Sequence, residues 1–519
     1  MAERTHITTA IFYCNGTPHV GSAYEALAAD VFVRYQRRKL GRERVSFLSG
    51  TDEHGDKIRR AAMAEGLAPK AYTDKMSALF REAWQGLNVS TDYFVRTTDP
   101  EHEKFVQQML IESKRLDNIE LRDYEGLYCV GCERFYTDKE LLDGKLCPTH
   151  NTAVELISES NYFLKIEKYR EQVRDHLLRN RDFVRPDRYR NEALNMLSEP
   201  ISDLCISRPK SRLEWGIELP FDNRYVTYVW YDAFWAYISE PARQLGFDRF
   251  KREIWPHTEH FIGKDILKTH IVYWPAMLLA AGFSEDQLFR HLNVHGWMNF
   301  GGARMSKSSG NVRDPVSYER AFGPDVLRYF VMREVVYGLD GDFSEERLVE
   351  RYNADLANDL GNLTSRVLSM VQRYFNGELT APQSSSASED KQLARAFVDM
   401  PGIAATHIEQ LAFHRALEAI WAALDVANKY IAATAPFTLA RDKEKLPRVA
   451  EILANALEAL RVTADVLEPF MPVTARRIAE LLAVDEETLR RPFGEGLRPG
   501  HRVKAPVALF PRIEKKTES

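Results

Sequence analysis

Several things are scarce in this chain, and each scarcity removes a class of answer. Five cysteines in 519 residues are too few for a disulfide framework. Three of them cluster with a histidine, which is metal usage in a reducing compartment. Cys14 and Cys205 are left over and read as packed thiols. No apolar run reaches eighteen residues, so a membrane span is not expected. The N-terminus has no signal-peptide pattern, because His6 to Tyr13 already reads as a buried strand. Positive charge is not in excess either. The formal net charge is −5, so nucleic-acid binding would rest on local patches rather than a global field. These absences together describe a soluble, cytoplasmic chain.

What is present is material for two to four domains, with 45% hydrophobic residues to fill their cores. Ile7 to Tyr13 is a largely apolar run, and Asn15-Gly16-Thr17-Pro18 is turn chemistry. Val20, Tyr24, Leu27, Val31 and Tyr35 then repeat at helical spacing up to Gly41, and Val45 to Leu48 makes the next strand. That is a βαβ unit, hence a parallel sheet with a ligand site where strand meets helix. Strand-like runs recur at Tyr225–Trp230, His260–Ile262 and Leu292–His295. Between them, 115–225 reads as an insertion with short strands and turns. From residue 356 on, amphipathic helices with no strand signal predict a bundle. The expected division is a first catalytic half over 1–114, the insertion over 115–225, a second half over 226–300, a loop and linking region over 301–355, and the bundle over 356–519.

Three motifs carry chemistry. Thr17-Pro18-His19-Val20-Gly21-Ser22 sits at a helix N-terminus, whose free N–H groups and positive dipole end suit phosphate. His19 can donate to a phosphate oxygen, and Gly21 lets a nucleoside approach the backbone. Gly302 to Asn311 is a Gly/Ser-rich loop in which Lys307 supplies a compact charge for a departing pyrophosphate. Alone, the first segment reads as a structural histidine and the second as a solvated basic loop. Cys129-Val130-Gly131-Cys132 and Cys147-Pro148-Thr149-His150 form two knuckles with tetrahedral zinc spacing. Cys129, Cys132, Cys147 and His150 would close the shell of one structural Zn²⁺ per chain, with no position left for substrate.

Taken together, the first two motifs resemble the His-Ile-Gly-His and Lys-Met-Ser-Lys-Ser signatures of class I aminoacyl-tRNA synthetases, in the same order. Ser22 stands at the second histidine and Arg304 at the first lysine. Further segments narrow the resemblance to the methionine-specific members. They include Gly50-Thr51-Asp52-Glu53-His54-Gly55, Tyr228-Val229-Trp230-Tyr231-Asp232-Ala233 and Phe261-Ile262-Gly263-Lys264-Asp265-Ile266. The similarity covers nearly the whole chain.

The resemblance implies a Rossmann-like α/β catalytic domain, split by a zinc-binding insertion and followed by an α-helical anticodon-binding bundle. It implies activation of L-methionine by ATP with Mg²⁺, then transfer to tRNA(Met). His19, Gly21, Ser22, Arg304 and Lys307 would act on ATP, with Lys264 and Asp265 beside them. The methionine pocket would fall on Ile11, Tyr13, Asp52, Trp230, Ala233, Phe234, Tyr237, Ile266, His270 and Trp274. Asp52 suits an α-ammonium, and an aromatic wall suits a thioether. Asn362, Arg366 and Phe437 match the anticodon-contact positions, and the family's further C-terminal dimerising domain has no counterpart, which implies a monomer.

Overall fold

The computed structural model describes residues 4–129, 134–136, 138–148, 151–304, 313–383 and 387–514. The chain divides into two compact units. One comprises the residues up to Ala29 with Arg37–Gln85 and Val89–Gly296; the other comprises Asp30–Gln36, Gly86–Asn88 and the chain from Trp297 on.

Among the described residues, six strands form the main sheet of the first unit. Their order is Tyr93–Arg96, Val45–Asp52, Thr5–Tyr13, Thr258–Gly263, His291–His295 and Val184–Arg185, and every neighbouring pair is parallel. The central strands are buried almost continuously, which is what a parallel sheet covered on both faces demands. Gly50 lets two strands close up, since a Cβ there would lie 2.2 Å from the Val95 carbonyl oxygen. Strand order reverses between Thr5–Tyr13 and Thr258–Gly263. In open α/β sheets the crevice beyond the strand ends at such a switch point receives ligands.

The helix Val20–Leu40 follows the first strand. Arg37, Arg38 and Lys39 complement its C-terminal dipole, and Gly41 stops it at φ 104°. One sequence expectation needs correction. Tyr225–Trp230 is not one strand: Asp222–Thr227 belongs to a small antiparallel sheet, and the helix Val229–Leu245 begins before Trp230. An apolar run this short carries no periodicity that separates strand end from helix start. The 115–225 segment contributes an antiparallel sheet in which Ile119–Cys129 pairs with Glu155–Leu164.

In the second unit, a short sheet of Ala303–Arg304, Met298–Phe300 and Gly341–Phe343 precedes the helices Asn362–Phe375, Ser388–Glu409, Phe413–Thr434, Leu446–Leu467 and Pro472–Leu482. A fully buried ion pair, Glu458–Arg461, ties one helix to the loop after Asp485. Arg461 donates to the Thr488, Leu489 and Pro492 carbonyls as well as to Glu458. Glu458 in turn accepts from the Gly494 and Leu497 N–H groups. No helix among the described residues is long and apolar enough to cross a membrane.

Candidate active site

The switch point brings the N-terminal candidates together. Tyr13 and Asp52 are register partners at the ends of adjacent strands. Thr8 faces Leu48 but Ile11 faces Gly50, so a β-bulge precedes Ile11. The Ala10 N–H inside that bulge donates to Glu25 Oε1 at 2.8 Å. The other Glu25 oxygen meets His295 Nε2 at 3.0 Å, and His295 Nδ1 lies 2.7 Å from the Gly296 carbonyl. Burial alone would lower the His295 pKa, but Glu25 and the Gly296 carbonyl raise it above the usual imidazole value. Each ring nitrogen thus faces an acceptor, an arrangement that favours the doubly protonated ring.

His19 is the N-cap of the helix Val20–Leu40. Its Nδ1 accepts the Ser22 N–H at 3.3 Å, while Ser22 Oγ accepts the His19 N–H at 2.9 Å. That reciprocal pair is a capping box. It leaves the ring proton on Nε2, as a donor directed away from the cap. Ser22 is thus committed to holding His19. Lys264–Ile266 forms a turn directly after the strand Thr258–Gly263, with Lys264 half-buried and Asp265 exposed. Arg304 lies on its short strand, whereas Lys307 falls outside the described residues.

The remaining pocket candidates come from two helices. Val229–Leu245 carries Trp230, Ala233, Phe234 and Tyr237; a π-turn, Thr269–Tyr273, carries His270 and leads into Trp274–Ala280. Such turns concentrate at functional sites. Phe234 stacks on Trp274 at 5.3 Å and 9°, and meets His270 edge-on at 4.9 Å. These rings are buried, while Ile11, Tyr13, Trp230 and Ile266 are half-buried and pack against the same core. The result is a closed aromatic back with a more open rim.

Proton placement in that wall follows from its partners. His270 Nδ1 lies 2.9 Å from the Ile266 carbonyl, which can only accept, so Nδ1 carries the proton. Nε2 then accepts from the Tyr237 hydroxyl at 2.8 Å. Burial drives the His270 pKa down to about 4, so the ring is neutral. Burial, with Glu25 and Asp52 adding to it, holds the Tyr237 phenol well above its ordinary value. Behind them, His260 accepts the Trp274 indole N–H at 3.3 Å and donates to Thr8 Oγ at 2.7 Å.

Sequence reading did not single out Glu25, His295, His260, or the pair His54–Asp232, whose Nδ1 and Oδ2 lie 2.8 Å apart. His54 lies in the Gly50–Gly55 segment and Asp232 in Tyr228–Ala233, but nothing local marks them as partners. In the insertion, Cys129 and Cys147 are fully buried in one small cluster with Tyr136 and Leu141. Cys132 and His150 lie outside the described residues. Among the described residues no group of three or more His, Cys, Asp or Glu side chains could hold a metal. Cys14 and Cys205 are buried thiols. In the helical unit, Asn362 and Arg366 share the helix Asn362–Phe375, exposed and half-buried respectively, and the Phe437 ring is 46% exposed.

Comparison with known proteins bears on this arrangement. The model for "tRNA synthetases class I (M)" matches residues 5–155 and 145–368, and that for the "anticodon binding domain of methionyl tRNA ligase" matches 382–519. The methionine–tRNA ligase of Caldanaerobacter subterraneus is 40% identical over 523 residues, spanning 100% of this chain and 80% of the relative. That of Deinococcus radiodurans is 41% identical, spanning 99% and 75%. The Mycobacterium tuberculosis methionyl-tRNA synthetase in complex with methionyl-adenylate superposes with a TM-score of 0.91 at 38% identity, covering 98% of this chain and 100% of that one.

Proposed function

The chain belongs to the methionyl-tRNA synthetases, the ATP-dependent methionine–tRNA ligases of class I, and from that premise we propose how its own residues divide the work. The observation that carries the reading is the neutral, hydrogen-bonded aromatic wall of Phe234, Trp274, Tyr237 and His270, with Asp52 at the adjacent strand ends. Asp52 receives the methionine ammonium. The wall receives the thioether: it offers aromatic faces and fixed dipoles but no charge. Ile11, Tyr13, Trp230, Ala233 and Ile266 form the rim that excludes water.

The methionine carboxylate, already ionised, attacks the α-phosphorus of Mg²⁺-bound ATP in line. A P–O bond forms as the bond to pyrophosphate breaks, so no general base is required. Catalysis is positioning and charge stabilisation. His19 donates its Nε2 proton to a phosphate oxygen as a hydrogen bond, on a ring held by Ser22. Gly21 admits the nucleoside, Lys264 and Asp265 flank it, and Arg304 and Lys307 meet the departing pyrophosphate. A ribose hydroxyl of the tRNA 3′-terminal adenosine then attacks the adenylate carbonyl and releases AMP.

The two buried sulfurs of Cys129 and Cys147 in one cluster suit a zinc site completed by Cys132 and His150. Such an ion would brace the 115–225 insertion. Residues 1–114 and 226–300 make the catalytic halves, 301–355 the loop and linking region, and 356–519 the anticodon reader. Asn362 and Arg366 address base edges, and the exposed Phe437 ring offers a stacking face. The enzyme works where translation does, in the cytoplasm.

The test is exchange of pyrophosphate into ATP with each amino acid supplied separately and no tRNA. A methionine-dependent signal is expected, with Lys307→Ala lowering the rate far more than methionine affinity. Exchange with a different amino acid would overturn the pocket assignment.

A further inference from the structure

His54 lies two residues beyond Asp52, and Asp232 lies in the first turn of the helix that carries Trp230, Phe234 and Tyr237. Their hydrogen bond joins elements 178 residues apart in sequence. Both side chains are removed from water, at 2% and 0% exposure. A buried pair of this kind contributes little net stability, because desolvation offsets the attraction. Its use is then geometric. The helix gains no side-chain cap from Tyr228, and Asp232 ties its first turn, through His54, to the turn that follows the strand Val45–Asp52. On its other side the His54 ring packs against Trp215 at 5.3 Å. The Trp215 indole N–H in turn holds the Glu53 carbonyl at 2.6 Å. The turn after Asp52 is therefore gripped from two directions.

We propose that His54 and Asp232 are a positioning pair, which fixes Asp52 against the aromatic wall and so sets the affinity for methionine without touching it. The inference rests on the pocket reading above. It also predicts a pH dependence. The groups facing His54 are Asp232, Glu103 at 4.0 Å from the other ring nitrogen, Glu53, and His102. Burial drives His102 down to about 3, so it stays neutral. Burial alone would lower the His54 pKa too, but the three carboxylates raise it above the usual imidazole value, chiefly Asp232. His54 therefore holds its second proton to higher pH than an ordinary imidazole does. Its proton leaves as pH rises through that raised value, and the grip on Asp232 weakens.

The experiment is methionine-dependent pyrophosphate exchange on the full chain, varying methionine at saturating ATP and the reverse, from neutral to alkaline pH. Asp232→Asn and His54→Phe should each raise KM for methionine roughly tenfold, the size of one lost charge-assisted hydrogen bond. KM for ATP and kcat should hold. His54→Asn keeps a donor at the Nδ1 position, so it should recover most of the affinity while losing the alkaline decline of the wild type. An unchanged methionine KM in Asp232→Asn overturns the proposal, as does a loss in which kcat and both KM values move together. If Asp232→Asn does not fold, the contrast between His54→Asn and His54→Phe decides: equal KM values sink the idea. Asp52→Asn is run alongside. If it leaves methionine KM unmoved, the pocket reading fails and the pair falls with it. If it raises KM while the pair variants do not, the pair alone is wrong.

Discussion

Two buried polar sites, one in each compact unit, are held in opposite electrical states. Around the aromatic wall of the first unit, His260 and His270 are stripped of charge by burial, and each spends its single ring proton on a fixed acceptor. In the helical unit, Glu458 and Arg461 keep full charges at 0% exposure, with all five guanidinium donors engaged internally. The difference follows from whether anything must enter. A surface that receives an uncharged thioether needs direction without a field. A strut that receives nothing can use charge, because its own backbone saturates every lone pair and N–H.

The sharpest way to break the comparison is to unbalance the strut. Glu458→Ala leaves Arg461 buried beside uncompensated space, at a cost of ~3–5 kcal/mol in urea unfolding. Any folded fraction should retain tRNA-free pyrophosphate exchange. A loss near zero would mean that solvent reaches the pair after all. Next in size, Asp52→Asn removes the one charge assigned to the substrate. A hydrogen bond to a charged group is worth about 1.5–3 kcal/mol, so methionine KM should rise by roughly 10- to 100-fold. The unfolding midpoint should move much less.

Phe437→Ala tests the exposed face of the helical unit. Loss of one stacked base amounts to about 1–3 kcal/mol in tRNA charging, with exchange unaffected. Loss of both activities would make the ring mere core. The smallest effect is the most gradual. His6 and His270 have pKa values lowered by burial to about 4, and His102 to about 3. The unfolded chain takes up their protons first, so stability should fall as pH drops from the ordinary imidazole value of about 6.5 through about 4. His54 and His295, with raised values, contribute in the opposite sense, and their share is lost on the alkaline side. A flat profile in calorimetry would contradict the assigned charge states.

Much of the frame could be read from residue order. The strand Thr5–Tyr13, the helix ending at Gly41 and the helices beyond residue 356 follow from period and punctuation, which are local properties. What could not be read depends on distance. Nothing near Tyr237 announces His270 as its acceptor, and nothing near Asp232 announces His54. The departure at Ser22 was visible, but its commitment to the His19 cap depends on backbone geometry at a helix start. The helix beginning at Val229 has no capping side chain to mark its start, so residue order does not reveal it.

The bulge before Ile11 has one more consequence. A strand alternates its side chains between two faces, so one extra residue must be absorbed at the bulge for the register downstream to be kept. Glu25 holds that inserted step in place through the Ala10 N–H. Scanning by substitution never changes the count of residues and would pass over this position as unremarkable. Deleting Ala10 would let the ladder run straight with Ile11 still opposite Gly50 and Tyr13 still opposite Asp52, so both side chains would keep their face while the N–H that Glu25 holds is lost. What the extra residue adds is thus a backbone N–H turned off the ladder toward Glu25, a contact that a regular strand could not offer.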